Sequence, residues 1–122
     1  MLLNNFFFVT EIENKTGVIK ASLDINKSHP IFDGHFPNQP IVPGVCMLQI
    51  VKEILESTLS FSIQLKSADF IKFLKFINPN EISNINIELH YVETDDKCLK
   101  VNAQLLDLES VYFKFKGVFV KQ

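Results

Sequence analysis

The sequence predicts an α+β protein in which one curved antiparallel sheet of about six strands wraps a single buried helix. Segments rich in Phe, Ile and Val with period-two patterning lie on both sides of one segment with helical spacing. Short connections between neighbouring strands favour antiparallel pairing. With 122 residues, 47% of them hydrophobic, we expect one domain, residues 1–122, with one modest core.

Two strands are expected first, at residues 6–12 and 17–25. The second alternates apolar and polar side chains, and the Glu13–Thr16 segment is predicted to turn between the two strands. Residues 26–44 then hold all but one of the five prolines. Because proline breaks helices and central strands, we expect no regular element in this stretch.

The predicted helix spans about residues 44–58. Pro43-Gly44 suits a helix start, because proline in the first turn loses no N–H that the helix needs. The first half of the segment is apolar nearly all round, so the helix should be largely buried. Four further strands are expected after it, at residues 61–76, 82–92, 98–107 and 110–120.

Composition excludes several classes of protein. The net charge of −2 and the pI near 5.9 provide no general field for binding nucleic acid. All twelve basic residues are lysines, so no guanidinium can clamp a phosphate. The opening MLLNNFFFVTEIE is a poor signal peptide, and no long uncharged apolar span is present. Two cysteines predict neither a disulfide framework nor a zinc cluster, and we expect a cytoplasmic protein without metal.

His35 is a candidate catalytic residue from its position alone. It lies in a proline-bounded loop just ahead of the predicted helix. Such loops often position reactive side chains, and the free amides at a helix start can hold a developing negative charge. The alternative is that His35 caps a loop or packs in the core.

The surrounding segment favours the catalytic alternative. Residues 34–45, GHFPNQPIVPGV, resemble the signature G-H-F-P-x-x-P-I-x-P-G-V of the 3-hydroxyacyl-acyl carrier protein dehydratases, which have the hotdog fold. Residues 71–80, IKFLKFINPN, are similar to a later strand and turn of that family. The resemblance covers essentially the whole chain in length and element order.

This resemblance implies dehydration of a 3-hydroxyacyl thioester to the trans-2-enoyl thioester, without a cofactor, in fatty-acid or related lipid or polyene synthesis. His35 would remove the C2 proton, and the Gly44 amide would polarise the thioester carbonyl. The acyl tunnel would lie between two subunits of a homodimer, or of a higher or hetero-oligomer. That arrangement would explain the twelve Phe residues as interface and tunnel. The implied substrate-binding residues are Phe36, Pro43, Val45, Glu53 and Phe73.

One position departs from the family pattern. The family places a carboxylate fourteen residues after the histidine, where this chain has Gln49. A carboxamide can bind the substrate hydroxyl but cannot deliver a proton as an acid. Three hypotheses follow: His35 works alone while Gln49 positions the hydroxyl, Glu53 replaces the carboxylate, or the protein binds acyl chains without turnover. For Glu53, the structural alternative is a solvated helix glutamate.

Other functions are also considered. The acyl binder could complete the site of an active partner, whereas a thioesterase is disfavoured because Gln49 removes its obvious carboxylate. Lys66, Lys72 and Lys75 are candidates for docking the acidic acyl carrier protein. Cys46 is expected to be a small buried hydrophobe rather than a nucleophile, and His29 and His90 show no metal-ligand spacing.

Overall fold

The computed structural model describes residues 1–34, 40–94 and 97–122. His35 and Phe36 of the dehydratase-like motif therefore lie outside the described residues, as do Asp95 and Asp96 between the last predicted strands. The described residues form six strands and two helices: β1 (Phe7–Lys15), β2 (Val18–Ile25), α1 (Ile31–Gly34), α2 (Gly44–Leu59), β3 (Ile63–Phe73), β4 (Asn84–Glu93), β5 (Cys98–Leu106) and β6 (Val111–Lys121).

The six strands form one antiparallel sheet in the order β1-β2-β4-β5-β6-β3. The predicted α+β class, strand count and element order are confirmed. Because β3 pairs only with β6, it forms one edge of the sheet, and β1 forms the other. The strand that follows α2 in sequence is therefore an edge strand.

The alternation read from the sequence describes the two faces of the sheet. In β4, Ile85, Ile87 and Leu89 are buried, whereas Asn84 and Asn86 on the other face are exposed. The inward side chains of the strands join the buried side of α2 in one hydrophobic cluster. Phe113, Phe115 and Phe119 from β6 belong to it, so part of the phenylalanine content fills the core.

Helix α2 buries a wide stripe against the sheet. Its buried apolar residues are Cys46, Met47, Ile50, Val51, Ile54 and Leu55. Pro43 stands at the N-cap, and Ser60 ends the helix in the left-handed conformation while its N–H donates to the Glu56 carbonyl. Val45 is an exception to the predicted burial of the first half, since 76% of its surface is exposed.

Two local predictions were wrong. The chain between β1 and β2 turns at Thr16-Gly17, both with positive φ, so the strands extend through most of the predicted Glu13–Thr16 turn. The proline-rich stretch contains the one-turn helix α1. Pro30 precedes it and Nδ1 of His29 accepts the Ile31 N–H at 3.0 Å, which together start a helical turn.

Among the described residues, no helix combines the length and apolar content needed to span a membrane.

Candidate active site

The start of α2 opens into an apolar groove. The groove has a volume of about 510 Å³. It lies between the segment that leads into α2 and the chain at and just beyond the end of β3. Its lining residues are Ile41, Val42, Pro43, Gly44, Met47, Phe73, Leu74, Lys75 and Phe76. A groove of this size and character suits an apolar chain.

The ring of Phe73 lies directly across the helix start. A Cβ at Gly44 would lie 2.8 Å from Cε1 and Cζ of this ring, so glycine is required for the approach. The ring also packs on Phe113 with 5.4 Å between the centroids, yet 57% of Phe73 remains exposed. Phe73 is thus anchored on one side and open to a ligand or partner on the other.

The start of α2 has no side-chain cap. Pro43 provides no capping side chain, and its carbonyl accepts the N–H groups of Cys46 (3.0 Å) and Met47 (3.3 Å). The N–H groups of Gly44 and Val45 have no acceptor among the described residues. The first turn also carries no acidic side chain. Such a helix start can polarise a carbonyl oxygen or hold an oxyanion.

Gln49 and Glu53 are joined one turn apart on α2. Nε2 of Gln49 donates to Oε2 of Glu53 at 2.8 Å. The Leu2 N–H lies 2.9 Å from both Glu53 oxygens, and the Leu3 N–H donates to Oε1 at 2.8 Å. Glu53 has no exposed surface, so the alternative of a solvated helix glutamate is wrong. Its donors compensate the lost hydration of a buried carboxylate.

The structure brings some of the predicted site residues together and separates others. Pro43, Gly44 and Phe73 line the same groove. Gln49 follows Gly44 by five residues, which places it about 140° around the helix, on the side of the exposed Val45. Glu53 is buried beneath the amino-terminal segment. His35, the predicted base, lies outside the described residues.

The three lysines predicted for carrier docking do not form one cluster. Lys75 lines the groove and donates to the Ser110 hydroxyl at 2.9 Å. Lys72 lies near the end of β3, with Nζ 4.7 Å from the Phe70 ring centroid. Lys66 lies 3.9 Å from Cys98 Sγ, about 20 Å from Lys72 along the strand.

A polar cluster supports one side of the groove, and sequence reasoning did not identify it. The Tyr112 carbonyl accepts the N–H groups of Leu74 and Lys75, and its hydroxyl donates to Asp107 Oδ2 at 2.5 Å. Burial, together with this hydrogen bond, raises the pKa of Tyr112 to about 12. The hydrogen bond from Tyr112 is the main cause that lowers the pKa of Asp107. Asp107 also accepts the Glu109 and Ser110 amides, a turn pattern that the residues Asp107–Ser110 could have indicated.

The remaining candidates have structural contacts. Cys46 is buried, and burial raises the pKa of its thiol, which disfavours the nucleophilic thiolate. His29 packs edge-on against Phe6 with 5.4 Å between the ring centroids, and His90 contacts Glu88 at 3.1 Å. Within residues 1–34, 40–94 and 97–122, no group of three or more side chains could hold a metal ion.

The chain is similar to known dehydratases. The family model described as ApeI-like, ApeI dehydratase, matches residues 11–111. A 3-hydroxyacyl-[acyl-carrier-protein] dehydratase FabZ of Polaromonas naphthalenivorans is 32% identical over 108 residues, covering 88% of this chain and 70% of the relative. The FabZ of Ehrlichia ruminantium strain Gardel is 26% identical over 105 residues, covering 70% of this chain and 72% of that protein.

A solved structure gives the same result for the fold. One chain of the dehydratase heterocomplex ApeI:P from Xenorhabdus doucetiae superposes with a TM-score of 0.73 at 19% identity, covering 93% of this chain and 96% of the other. The hotdog fold predicted from the resemblance is therefore confirmed. Because the family model matches most of the sequence, the chain belongs to the ApeI-like dehydratases, a family of FabZ-like hotdog proteins.

Proposed function

We propose that this protein dehydrates 3-hydroxyacyl thioesters on acyl carrier protein to trans-2-enoyl thioesters in fatty-acid or related lipid synthesis. The observation that carries the proposal is the start of α2. The Gly44 and Val45 amides, at the end of the dehydratase-like motif, have no acceptors among the described residues, and Gly44 lines an apolar groove. A thioester carbonyl could bind these amides while the acyl chain occupies the groove.

In the proposed reaction, His35 removes a proton from C2. The Gly44 N–H stabilises the negative charge that develops on the carbonyl oxygen. As the C2–C3 double bond forms, the C3–O bond breaks and the hydroxyl leaves with the proton that His35 took from C2. Atoms balance without a second acid, so a carboxamide at position 49 is compatible with the reaction.

His35→Ala tests this assignment with His90→Ala as the control, because His90 is an exposed histidine outside the groove. We expect His35→Ala to lower turnover of a 3-hydroxyacyl carrier-protein substrate by about 10²–10⁴-fold, while His90→Ala retains wild-type turnover. Full activity in His35→Ala would exclude the proposed base.

We further propose that the site is completed by a second hotdog chain. Strand β3 is a sheet edge, and its side chains Leu65, Ile71 and Phe73 are exposed. A long apolar edge strand is normally covered by another chain. In a homodimer, a second copy of the chain would cover this edge. Mass measurement of the native protein tests whether the homodimer forms.

A second candidate function is a subunit that binds acyl chains and completes an active partner's site. Two observations favour it: the carboxylate nearest Gln49 is buried and bound by the chain's own amides, and the related ApeI:P structure is a heterocomplex. In that case the isolated protein would not dehydrate the substrate, and turnover would appear only after a partner hotdog subunit is added.

Docking of the carrier protein is proposed at Lys75, which lines the groove, and at Lys72 near the end of β3. Lys72→Glu should raise KM several-fold for a carrier-bound substrate and leave KM for a small thioester mimic unchanged, because only the carrier presents an acidic surface. Lys66→Glu is the matched control at the distant end of β3. Equal changes for both substrates, or in both variants, would exclude docking at Lys72.

A further inference from the structure

Glu53 is a fully buried carboxylate that the proposed chemistry leaves without a role. Its oxygens accept hydrogen bonds from the amides of Leu2 and Leu3 and from the Gln49 carboxamide. A carboxylate is tolerated in the interior only where donors replace its hydration. These donors come from two parts of the chain about fifty residues apart, so Glu53 connects the amino-terminal segment to the helix that carries Gln49.

The hydrogen bond also defines the orientation of Gln49. A carboxylate only accepts hydrogen bonds, so Gln49 must turn its amide nitrogen toward Glu53. Its carbonyl oxygen then points away from Glu53, and Oε1 has no hydrogen-bond partner within the described part of the chain. Gln49 therefore offers an acceptor on the side of α2 that also carries the exposed Val45.

We propose that Glu53 is a positioning residue that holds the Gln49 carboxamide as a hydrogen-bond acceptor for the substrate's 3-hydroxyl. This inference rests on the proposed dehydratase function. With its nitrogen turned to Glu53, Gln49 receives the hydroxyl hydrogen in a hydrogen bond and donates no proton to the leaving oxygen. The proton that completes the water is then the one that His35 removes from C2, while the C3–O electron pair leaves with the oxygen.

The contact between Gln49 and Glu53 predicts distinct effects for substitutions at these two positions. Gln49→Glu places two carboxylates at a contact of 2.8 Å, an arrangement in which both cannot ionise without repulsion. Glu53→Gln removes the charge that orients Gln49 and leaves fewer acceptors for the Leu2 and Leu3 amides. The exchange variant Gln49→Glu/Glu53→Gln restores one carboxylate beside one carboxamide.

Turnover of a 3-hydroxyacyl thioester distinguishes positioning from a purely structural role. We expect Glu53→Gln to lower kcat about tenfold with little change in KM, and the exchange variant to exceed Gln49→Glu in kcat. Glu56→Gln is the matched control, because Glu56 lies on the same helix and accepts the Ile63 amide at 3.0 Å without contacting Gln49. Equal kcat losses in Glu53→Gln and Glu56→Gln would overturn the proposal, as would an exchange variant no better than Gln49→Glu.

Two readouts remain decisive even if the wild-type protein shows no turnover, a result that would refute the proposed function. Glu53→Gln should shift the side-chain amide resonances of Gln49 and accelerate hydrogen exchange at Leu2 and Leu3, whereas Glu56→Gln should change neither. Those changes would support the positioning of Gln49 with or without turnover. Unchanged Gln49 resonances in Glu53→Gln would overturn it.

Discussion

The start and the middle of α2 differ in whether the described chain supplies partners for their hydrogen-bonding groups. At the start, the Gly44 and Val45 amides have no acceptors among the described residues, and Phe73 beside them is 57% exposed. In the middle, Glu53 is fully buried and accepts from Leu2, Leu3 and Gln49. Within the described residues, the same helix thus leaves donors without acceptors where an apolar groove opens, and satisfies its carboxylate internally about two and a half turns later.

The cap residue explains part of this difference. Ser, Thr, Asp or Asn at the N-cap would accept an N–H from the first turn, but Pro43 has no such side chain. Pro43 therefore leaves the Val45 amide without a side-chain acceptor at the cap. A helix start with open amides beside an apolar groove can take a ligand, whereas a carboxylate already surrounded by the chain's own donors stabilises the fold.

The largest expected effect comes from removing the buried Glu53 carboxylate in the middle of α2. Glu53→Ala leaves the Leu2 and Leu3 amides and the Gln49 nitrogen without their acceptor, and should lower the free energy of unfolding by about 3 kcal/mol. Chemical denaturation measures this change. Glu56→Ala, which removes the acceptor of one backbone amide, should cost about 1 kcal/mol. If both variants lost a similar free energy of unfolding, the hydrogen bonds of Glu53 would stabilise the fold no more than the single backbone hydrogen bond of Glu56.

An intermediate effect is expected from a substitution at Gly44, the first residue of α2. Gly44→Ala introduces a Cβ that would lie 2.8 Å from the Phe73 ring, and the exposed ring can swing away. We therefore expect unfolding free energy to change by less than about 1 kcal/mol, with turnover reduced about tenfold because the groove beside the amide is altered. The double variant Gly44→Ala/Phe73→Leu should recover part of the turnover. Wild-type turnover in Gly44→Ala would show that the ring and the amide do not act together.

The smallest effect concerns Cys46, in the first turn of the same open end. A helix start favours a thiolate, but burial raises the pKa of the Cys46 thiol, so the neutral thiol is favoured at pH 7. The protonated form is the one that folding favours, and its stabilising contribution is lost as pH rises above the usual thiol range. Alkylation followed by peptide mass spectrometry should find Cys46 unreactive in the native protein at neutral pH and reactive after denaturation. Rapid native alkylation would show that the first turn is open to solvent around Cys46 as well.

Sequence periodicity alone was sufficient to predict most of the fold. The six strands and α2 lie close to their expected positions, because alternation of period two and spacing of 3.6 are local consequences of burying one face. The turn at Thr16-Gly17 and the helix α1 were not predicted, also for local reasons. A two-residue turn with positive φ and a single helical turn are too short to leave a periodic pattern in the sequence.

The surroundings of individual side chains depended on tertiary structure. The motif at residues 34–45 and Gly44 at the helix start could be identified from the sequence, and so could the unusual Gln49. The burial of Glu53 could not, because its partners Leu2 and Leu3 are about fifty residues away and act through backbone amides that any residue possesses. The contact of Phe73 with Gly44 and the support of the groove by Tyr112 likewise arise only when β3, β6 and α2 are brought together. Local patterns determined where the elements form, whereas contacts between distant segments decided which polar groups are satisfied and which remain available to a ligand.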